Sequence, residues 1–367
     1  MAVLGKGSIY IGIFSAVIGV FLYAFLELDL HKRVYNHVPG ECHHSHSLRV
    51  GAAQIVMFDN TVIFTGGADL NNATNSTGAL YAWAMDTRDI QEVAIMAQHE
   101  HNPAGFNPHG LSTHMNILMV TVSTYPVKPE DRIDIFTIER RKPKDPKMPN
   151  VPTVQFVKSV SDPLFTGLVS VAAITDNKFY ASNRYRSRHA PSRFIENIFN
   201  LETGSVVFYD GKKVQTVIEH LPGPTGIAYD PRKRHLYVSL YGAKAIAIYR
   251  ADFHNVSKVQ EIKLFASPYF IALDYLNGNF LVAIHPIRIR HIAHEYDRHN
   301  FYSPSQILKI QRLRKKWIIT QLYANDGATI SAATSAHVVY STDKQKPARL
   351  LIGNVHNGLL SCDLVSV

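Results

Sequence analysis

Cysteine is nearly absent, with only Cys42 and Cys362 in 367 residues. This excludes a small fold stapled by several disulfides and any zinc module built from paired cysteine ligands. Charged residues are also scarce: at 18%, against 46% hydrophobic residues, they exclude a largely disordered chain and require a packed core. Long helical periodicity is almost missing. No P-loop, dinucleotide fingerprint or serine-nucleophile motif occurs. The net charge of +9 is spread along the chain rather than clustered, so it reads as mild affinity for an anionic membrane surface or a partner, with no nucleic-acid site.

One long apolar run is present. Ile9 to Leu26, IYIGIFSAVIGVFLYAFL, carries no charge. At ~1.5 Å per residue it nearly spans a hydrocarbon core of about 30 Å. It is long for a signal-peptide core and no small-residue cleavage site follows, so it reads as an uncleaved signal-anchor, with a cleaved signal as the competing reading. The expected layout is a short cytoplasmic N-terminus (1–8), a transmembrane segment (9–28), a linker (29–47) and one domain (48–367). Flanking charge does not settle orientation, since Lys6 lies on one side and Lys32 and Arg33 on the other. The sequons at Asn72, Asn75 and Asn255 and the cysteine pair argue for a lumenal or extracellular domain, at the endoplasmic reticulum, the plasma membrane or both.

Past Ser47 the chain turns to short alternating runs rich in Val, Ile, Tyr and Phe, broken by Asp, Asn, Gly and Pro. Six segments resemble one another: QIVMFDNTVIFTGG, NILMVTVSTY, SVAAITDNKFYASN, GIAYDPRKRHLYVSL, FIALDYLNGNFLVAI and SAATSAHVVYSTDKQKPARLLIGN. Each reads as a strand, a tight turn and a second strand, with weaker strands such as AKAIAIYRAD following. A recurrence of about 45 to 65 residues predicts an all-β, six-bladed β-propeller, with a β-sandwich as the alternative. A Cys42–Cys362 bridge would then close the ring at its seam.

Two segments depart from this pattern. Ala190 to Gly204 places Phe194, Ile195, Ile198, Phe199 and Leu201 at helical spacing, behind Arg184, Arg186, Arg188 and Arg193, and predicts a short amphipathic helix on one face. Ile287 to Phe301, IRIRHIAHEYDRHNF, reads as an exposed basic loop rather than a site. Cys42-His43-His44-Ser45-His46 offers metal-binding side chains, but Cys42 is better used in the bridge and the rest reads as exposed linker.

FNPHGLST, Phe106 to Thr113, together with the terminal cysteines and the six repeats, resembles the paraoxonase family over roughly Cys42 to Cys362. The resemblance implies a six-bladed propeller with a retained N-terminal hydrophobic segment. It also implies calcium-dependent lactonase and arylesterase chemistry, in which the ion polarises the ester carbonyl. Asn255 falls where the family carries a sequon, and Ala190 to Gly204 where it places a lid and membrane-contacting helix.

The implied calcium positions do not carry the family's residues. The Glu-Asp pair becomes Ala52-Ala53, or Ala53-Gln54 with a one-residue shift. Asn-Asp becomes Thr166-Gly167, Asn-Gly-Ile becomes Thr225-Gly226-Ile227, and Asp-Asn becomes Tyr269-Phe270. A hard cation wants six to eight oxygens, largely anionic, and hydroxyls with one amide do not offset its dehydration. Tyr269 and Phe270 read as plugs. The family histidine persists as His109, but the second is replaced by Tyr125; His285 also persists. His109 therefore reads as a buried, hydrogen-bonded structural residue.

The pattern is similar to a nematode branch of membrane-anchored paraoxonase-like proteins that assist degenerin-type sodium channels. The resemblance implies a non-catalytic chaperone or accessory subunit for folding, assembly or surface delivery of such channels, needing no cofactor. The alternatives are a hydrolase, with calcium as its cofactor or metal-independent through His109, and a general secretory-pathway chaperone.

Overall fold

Runs of β-branched and aromatic residues joined by tight turns pair into antiparallel sheets, and this chain does so six times. The computed structural model describes residues 2–45, 51–59, 61–67, 77–84, 89–96, 105–123, 130–140, 151–274, 278–340, 347–356 and 358–364. Asn72, Asn75, Tyr125 and His46 lie outside the described residues.

Blade one is β2 (Ile55–Phe58), β3 (Thr61–Gly66), β4 (Ala79–Ala84) and β5 (Ile90–Glu92). Blade two is β7 (Pro108–His114), β8 (Ile117–Ser123), β9 (Asp131–Glu139) and β10 (Thr153–Ser161), with β6 (Ile95–Met96) added parallel to β10. Blade three runs from β11 (Leu168–Thr175) through β12 (Lys178–Asn183) and β13 (Gly204–Tyr209) to β14 (Val214–Leu221). Blade four holds β15 (Pro224–Asp230), β16 (His235–Leu240), β17 (Ala245–Asp252) and β18 (Asn255–Lys263). Blade five holds β19 (Ser267–Asp274), β20 (Asn279–His285), β21 (Ser305–Leu313) and β22 (Lys316–Asn325). Blade six combines β23 (Ala333–Val339), β24 (Ala348–Asn354) and β25 (Leu359–Leu364) with β1 (Cys42–Ser45) from the other end of the domain.

β1 closes the ring. It pairs antiparallel with β25 so that Cys42 faces Cys362, and the two form a disulfide across a separation of 320 residues. The propeller thus begins at Cys42, inside the segment expected to be linker. The hydrophobic core is not one mass but six wedges, each shared by neighbouring blades. Leu80 meets Leu118 between the first two, and Ile55 meets Leu351 between the last and the first. Second strands such as β8, β16 and β24 are buried on both faces, which is why their sequences are nearly continuous apolar runs.

FNPHGLST holds its own inner strand, β7, whereas the expected hairpin began at NILMVTVSTY; the turn is Met115–Asn116. The reason is packing at a blade seam. A Cβ on Gly110 would lie 2.5 Å from the backbone oxygen of Val169, so only glycine lets β7 approach β11. Gly226 repeats the device one interface further on, 2.4 Å from Tyr269 O by the same measure. Hydroxyls and an amide stitch these seams: Leu111 N–H donates to Gln54 Oε1 at 2.8 Å, Thr65 Oγ1 donates to the His109 carbonyl at 2.9 Å, and Ala173 N–H donates to Ser112 Oγ at 2.9 Å.

Three helices complete the fold. α1 (Ala2–Glu27) contains a stretch, Ile9–Glu27, long and apolar enough to cross a membrane, with none of its residues buried. α2 (Ala190–Ile198) starts where the amphipathic pattern does and ends before Gly204. α3 (Arg288–Tyr296) occupies the segment expected to be an exposed loop, and it buries Arg288, His291, Ile292 and His294. Its histidines and arginine turn inward because the tunnel mouth is lined by aromatic and acidic partners, which composition alone does not reveal.

The segment after α1 is tied to the propeller along its length. Leu28 O accepts the Ile289 N–H, and the buried Asp29 carboxylate receives Lys244 and Lys32, each at 2.7 Å. His37 and Ala324 exchange a pair of backbone bonds, and Asn36 accepts the Asp326 N–H.

Candidate functional site

The inner strands converge on a central tunnel, and its geometry follows from a repeated local defect. In blades two to six the first hairpin slips register near the start of the inner strand, between Pro108 and Leu111, Leu168 and Ser170, Pro224 and Ile227, Pro268 and Ile271, and Ala333 and Ser335. Such bulges re-aim side chains, and they are common beside active sites. Just beyond them Ile55, Leu111, Val171, Ile227 and Ile271 form an apolar waist, each at most 4% exposed. Two separate cavities result, sharing no lining residue: one of about 510 Å³ at the mouth and one of about 400 Å³ below the waist.

The mouth gathers most of the residues singled out in the sequence. Ala53, His109, Gly167, Tyr269 and Phe270 all line it. Ala52 is fully buried at the seam with blade six, and the carbonyl of Ala53 accepts a hydrogen bond from Thr334. Thr166 donates its hydroxyl to Tyr185 O at 2.7 Å, and Thr225 donates its own to Pro268 O at 3.0 Å. The Gln54 amide oxygen is held by Leu111 N–H and faces the lower cavity instead.

His109 is half-buried rather than enclosed, with its ring on the cavity wall. It is the backbone carbonyl, not the imidazole, that joins the Thr65 hydrogen bond. Burial lowers its pKa, against the pull of the Asp131 charge. Asp131 shares the cavity, and one of its oxygens accepts the Leu168 N–H at 2.9 Å. His285 is fully buried, with Nε2 at 3.0 Å from Ala333 O, and burial drives its pKa well down.

The dominant electrostatic feature was invisible in the sequence. Arg184, only 4% exposed, pairs with Glu295 of α3 at 3.1 Å. His291 Nε2 lies 3.2 Å from the same carboxylate, and Asn197 of α2 approaches it at 3.4 Å. Burial pushes the Glu295 carboxyl up, but Arg184 and His291 outweigh it and hold it well below the usual range. Arg184 also lies over the rings of Tyr241 at 4.5 Å, Tyr185 at 5.0 Å and Tyr269 at 5.9 Å. His285 and His291 stack at 3.7 Å beside them. No local signal joins Arg184 to Glu295, which stand 111 positions apart in the chain.

This donor set does not fit calcium. The hydroxyls near the mouth are committed to carbonyls, the Glu295 carboxylate is neutralised by Arg184, and a permanent guanidinium charge sits where a divalent ion would need anionic oxygens. Among the described residues no group of three or more His, Cys, Asp or Glu is arranged to hold a metal.

Comparison with known proteins agrees with this architecture. A family model described as Arylesterase matches residues 14–364. Mechanosensory abnormality protein 6 of Caenorhabditis elegans is 30% identical over 380 residues, covering 97% of this chain and 94% of that protein. Serum paraoxonase/arylesterase 2 of Bos taurus is 25% identical over 333 residues, 88% of each chain. A luciferin-regenerating enzyme shares the fold with a TM-score of 0.52 at 12% identity, over 89% of this chain and 96% of that one.

Proposed function

Because the chain belongs to the arylesterase family, yet lines its tunnel mouth with an Arg184–Glu295 pair and aromatic rings, we propose that it is a non-catalytic, membrane-anchored member. Its role is that of a chaperone or accessory subunit for the folding, assembly or surface delivery of membrane ion channels of the degenerin/epithelial sodium channel class. The ion pair carries the first half of the proposal: it engages the Glu295 carboxylate and so withholds its anionic oxygens from a bound cation that could polarise a carbonyl. The partner class rests on the resemblance to channel-assisting nematode proteins, and the relative named for a mechanosensory abnormality is in keeping with it.

The anchor supports the same reading. α1 is of membrane-spanning length, and its C-terminal end is joined to α3 through Leu28 and Ile289. Phe194, Ile195, Phe199 and Leu201 of the α2 region remain exposed beside the same mouth. A rigid propeller held against a bilayer has a high effective concentration for membrane partners, and the single-pass topology would place it in the lumen or outside the cell. Asn255, the first residue of β18, is exposed beside the Phe253–His254 turn and accessible to glycosylation there.

One observation favours a second reading. His109 and Asp131 share the mouth cavity, which would suit a metal-independent hydrolase. Calcium titration of the full-length protein, with lactone and aryl-ester assays, separates the two. The non-catalytic reading expects no calcium-dependent rise in Tm and no turnover above that of His109→Ala. Turnover lost in His109→Ala would sink it. Co-purification with a degenerin-type channel subunit from membranes tests the partner class, and a channel whose surface level is unchanged by removal of this protein would refute it.

A further inference from the structure

A third, small cavity adjoins the tunnel mouth, with which it shares Arg184, Tyr185 and Asn197, and lies between α2, α3 and the end of blade four. It has room for the centre of one water-sized particle, about 10 Å³, and its walls include Arg184, Arg288, Tyr241, Asn197, Asn200 and Gly223. Arg288 is 1% exposed. Its Nη2 donates to the carbonyl of Asn197, but no acceptor among the described residues meets Nε or Nη1. The Tyr241 hydroxyl in the same wall is also without a partner.

Charge balance makes this arrangement demanding. Arg184 is matched by Glu295 at 3.1 Å and by Asn197 Oδ1 at 3.5 Å. The Glu196 carboxylate, also in the wall, accepts from the backbone of Arg186 and Ser187 and from the Thr203 hydroxyl. On the α1 side the carboxylates of Glu27 and Asp29 attract Arg288 through space without a hydrogen bond to its Nε or Nη1, and Asp29 is taken by Lys244 and Lys32. Arg288 is therefore a buried positive charge with two idle donors. A guanidinium does not escape by losing its proton, and an unpaired buried charge is costly.

We propose that this chamber binds one small monovalent anion of the halide class, chloride in a chloride-rich compartment, held by Nε–H and Nη1–H of Arg288 with the Tyr241 hydroxyl as a further donor and Arg184 completing the positive wall. Carboxylates, sulfate and phosphate bring too many heavy atoms for the space. The anion would tie the N-terminus of α3, through Arg288, to the C-terminal part of α2, through Asn197, and so hold both helices over the tunnel mouth. This site does not depend on whether the mouth is catalytic.

The test uses the full-length protein in detergent, with thermal unfolding followed in sodium chloride, bromide and gluconate at equal ionic strength. The expected result is a saturable rise in Tm of roughly 2 °C or more in chloride and bromide over gluconate, abolished in Arg288→Met. Crystals of the unaltered protein grown in bromide should show an anomalous peak beside Arg288, which keeps the proposal testable if Arg288→Met fails to fold. Equal Tm values in the three salts, a halide effect that survives in Arg288→Met, or an ordered water in place of bromide would each overturn it.

Discussion

At the scale of single residues, the FNPHGLST motif carries structural contacts that do not depend on any ester chemistry. Its glycine is a contact between blades, its serine and leucine carry seam hydrogen bonds, and its histidine faces the mouth cavity without a hydrogen-bonded role for its imidazole among the described residues. Gly110→Ala forces a Cβ into the Val169 carbonyl, and relieving that overlap requires β7 and β11 to move apart. The expected cost is about 1 to 3 kcal/mol, read as a lower denaturation midpoint with the slope unchanged. Gly226→Ala should cost a similar amount, since it meets the backbone of Tyr269 in the same way. Alanine at a glycine outside a seam, such as Gly19 in α1 with open space around it, should not. That Ala52, Ala53, Thr225 and Tyr269 are uncharged was legible from residue type alone. The Arg184–Glu295 pair was not, because its members are 111 positions apart.

At the scale of elements, two short pieces govern how the molecule is held together. β1 supplies one strand and one cysteine to the seam. By the chain-entropy model a bridge closing so long a loop stabilises by about 5 kcal/mol, so Cys42→Ser should lower Tm sharply and make the β1–β25 pair the first to lose protection from hydrogen exchange. Equal protection of that pair in reduced and oxidised protein would contradict this. The segment from Asp29 to Glu41 was expected to be part of a linker, yet Asp29 is fully buried and doubly paired with lysine. Asp29→Asn leaves Lys244 and Lys32 facing each other without their shared counter-charge. It should cost about 2 to 4 kcal/mol at this junction and expose residues 28–41 to protease while the blades stay resistant. Helix α3 shows why a basic, histidine-rich stretch is hard to read: local composition favours a solvated loop, whereas the cavity it covers supplies partners that only the ring brings together.

At the scale of the whole molecule, buried histidines make stability depend on acidity. Burial lowers the pKa of His337 to about 4, against the opposing Asp274 charge, and that of His356 to about 3, with Arg298 adding to the shift. His285 and His294 are lowered as well. Unfolded, each would titrate near its ordinary value, so below that value the unfolded chain binds more protons and stability falls with pH. Stability should be full above about pH 6.5 and decline progressively toward pH 4 and then 3, with Glu295 adding a further loss below the ordinary carboxylate range. A drop in Tm of roughly 5 °C or more between pH 7 and pH 4 is expected, and it should be smaller in His337→Gln. A profile that is flat over that range would show that these rings take up protons without disturbing the fold.

The repeat, the closing bridge and the apolar N-terminal run were determined by sequence alone, because periodicity, cysteine count and run length are local or countable properties. The tertiary structure alone decided that α3 packs inward, that the end of α1 is tied to blade four by the Asp29–Lys244 ion pair and the following segment to blade five by backbone hydrogen bonds, and that two arginines converge beneath the mouth. These features depend on through-space charge and burial between distant segments. Curling the blades into a ring sets those distances, and no local pattern in the chain encodes them.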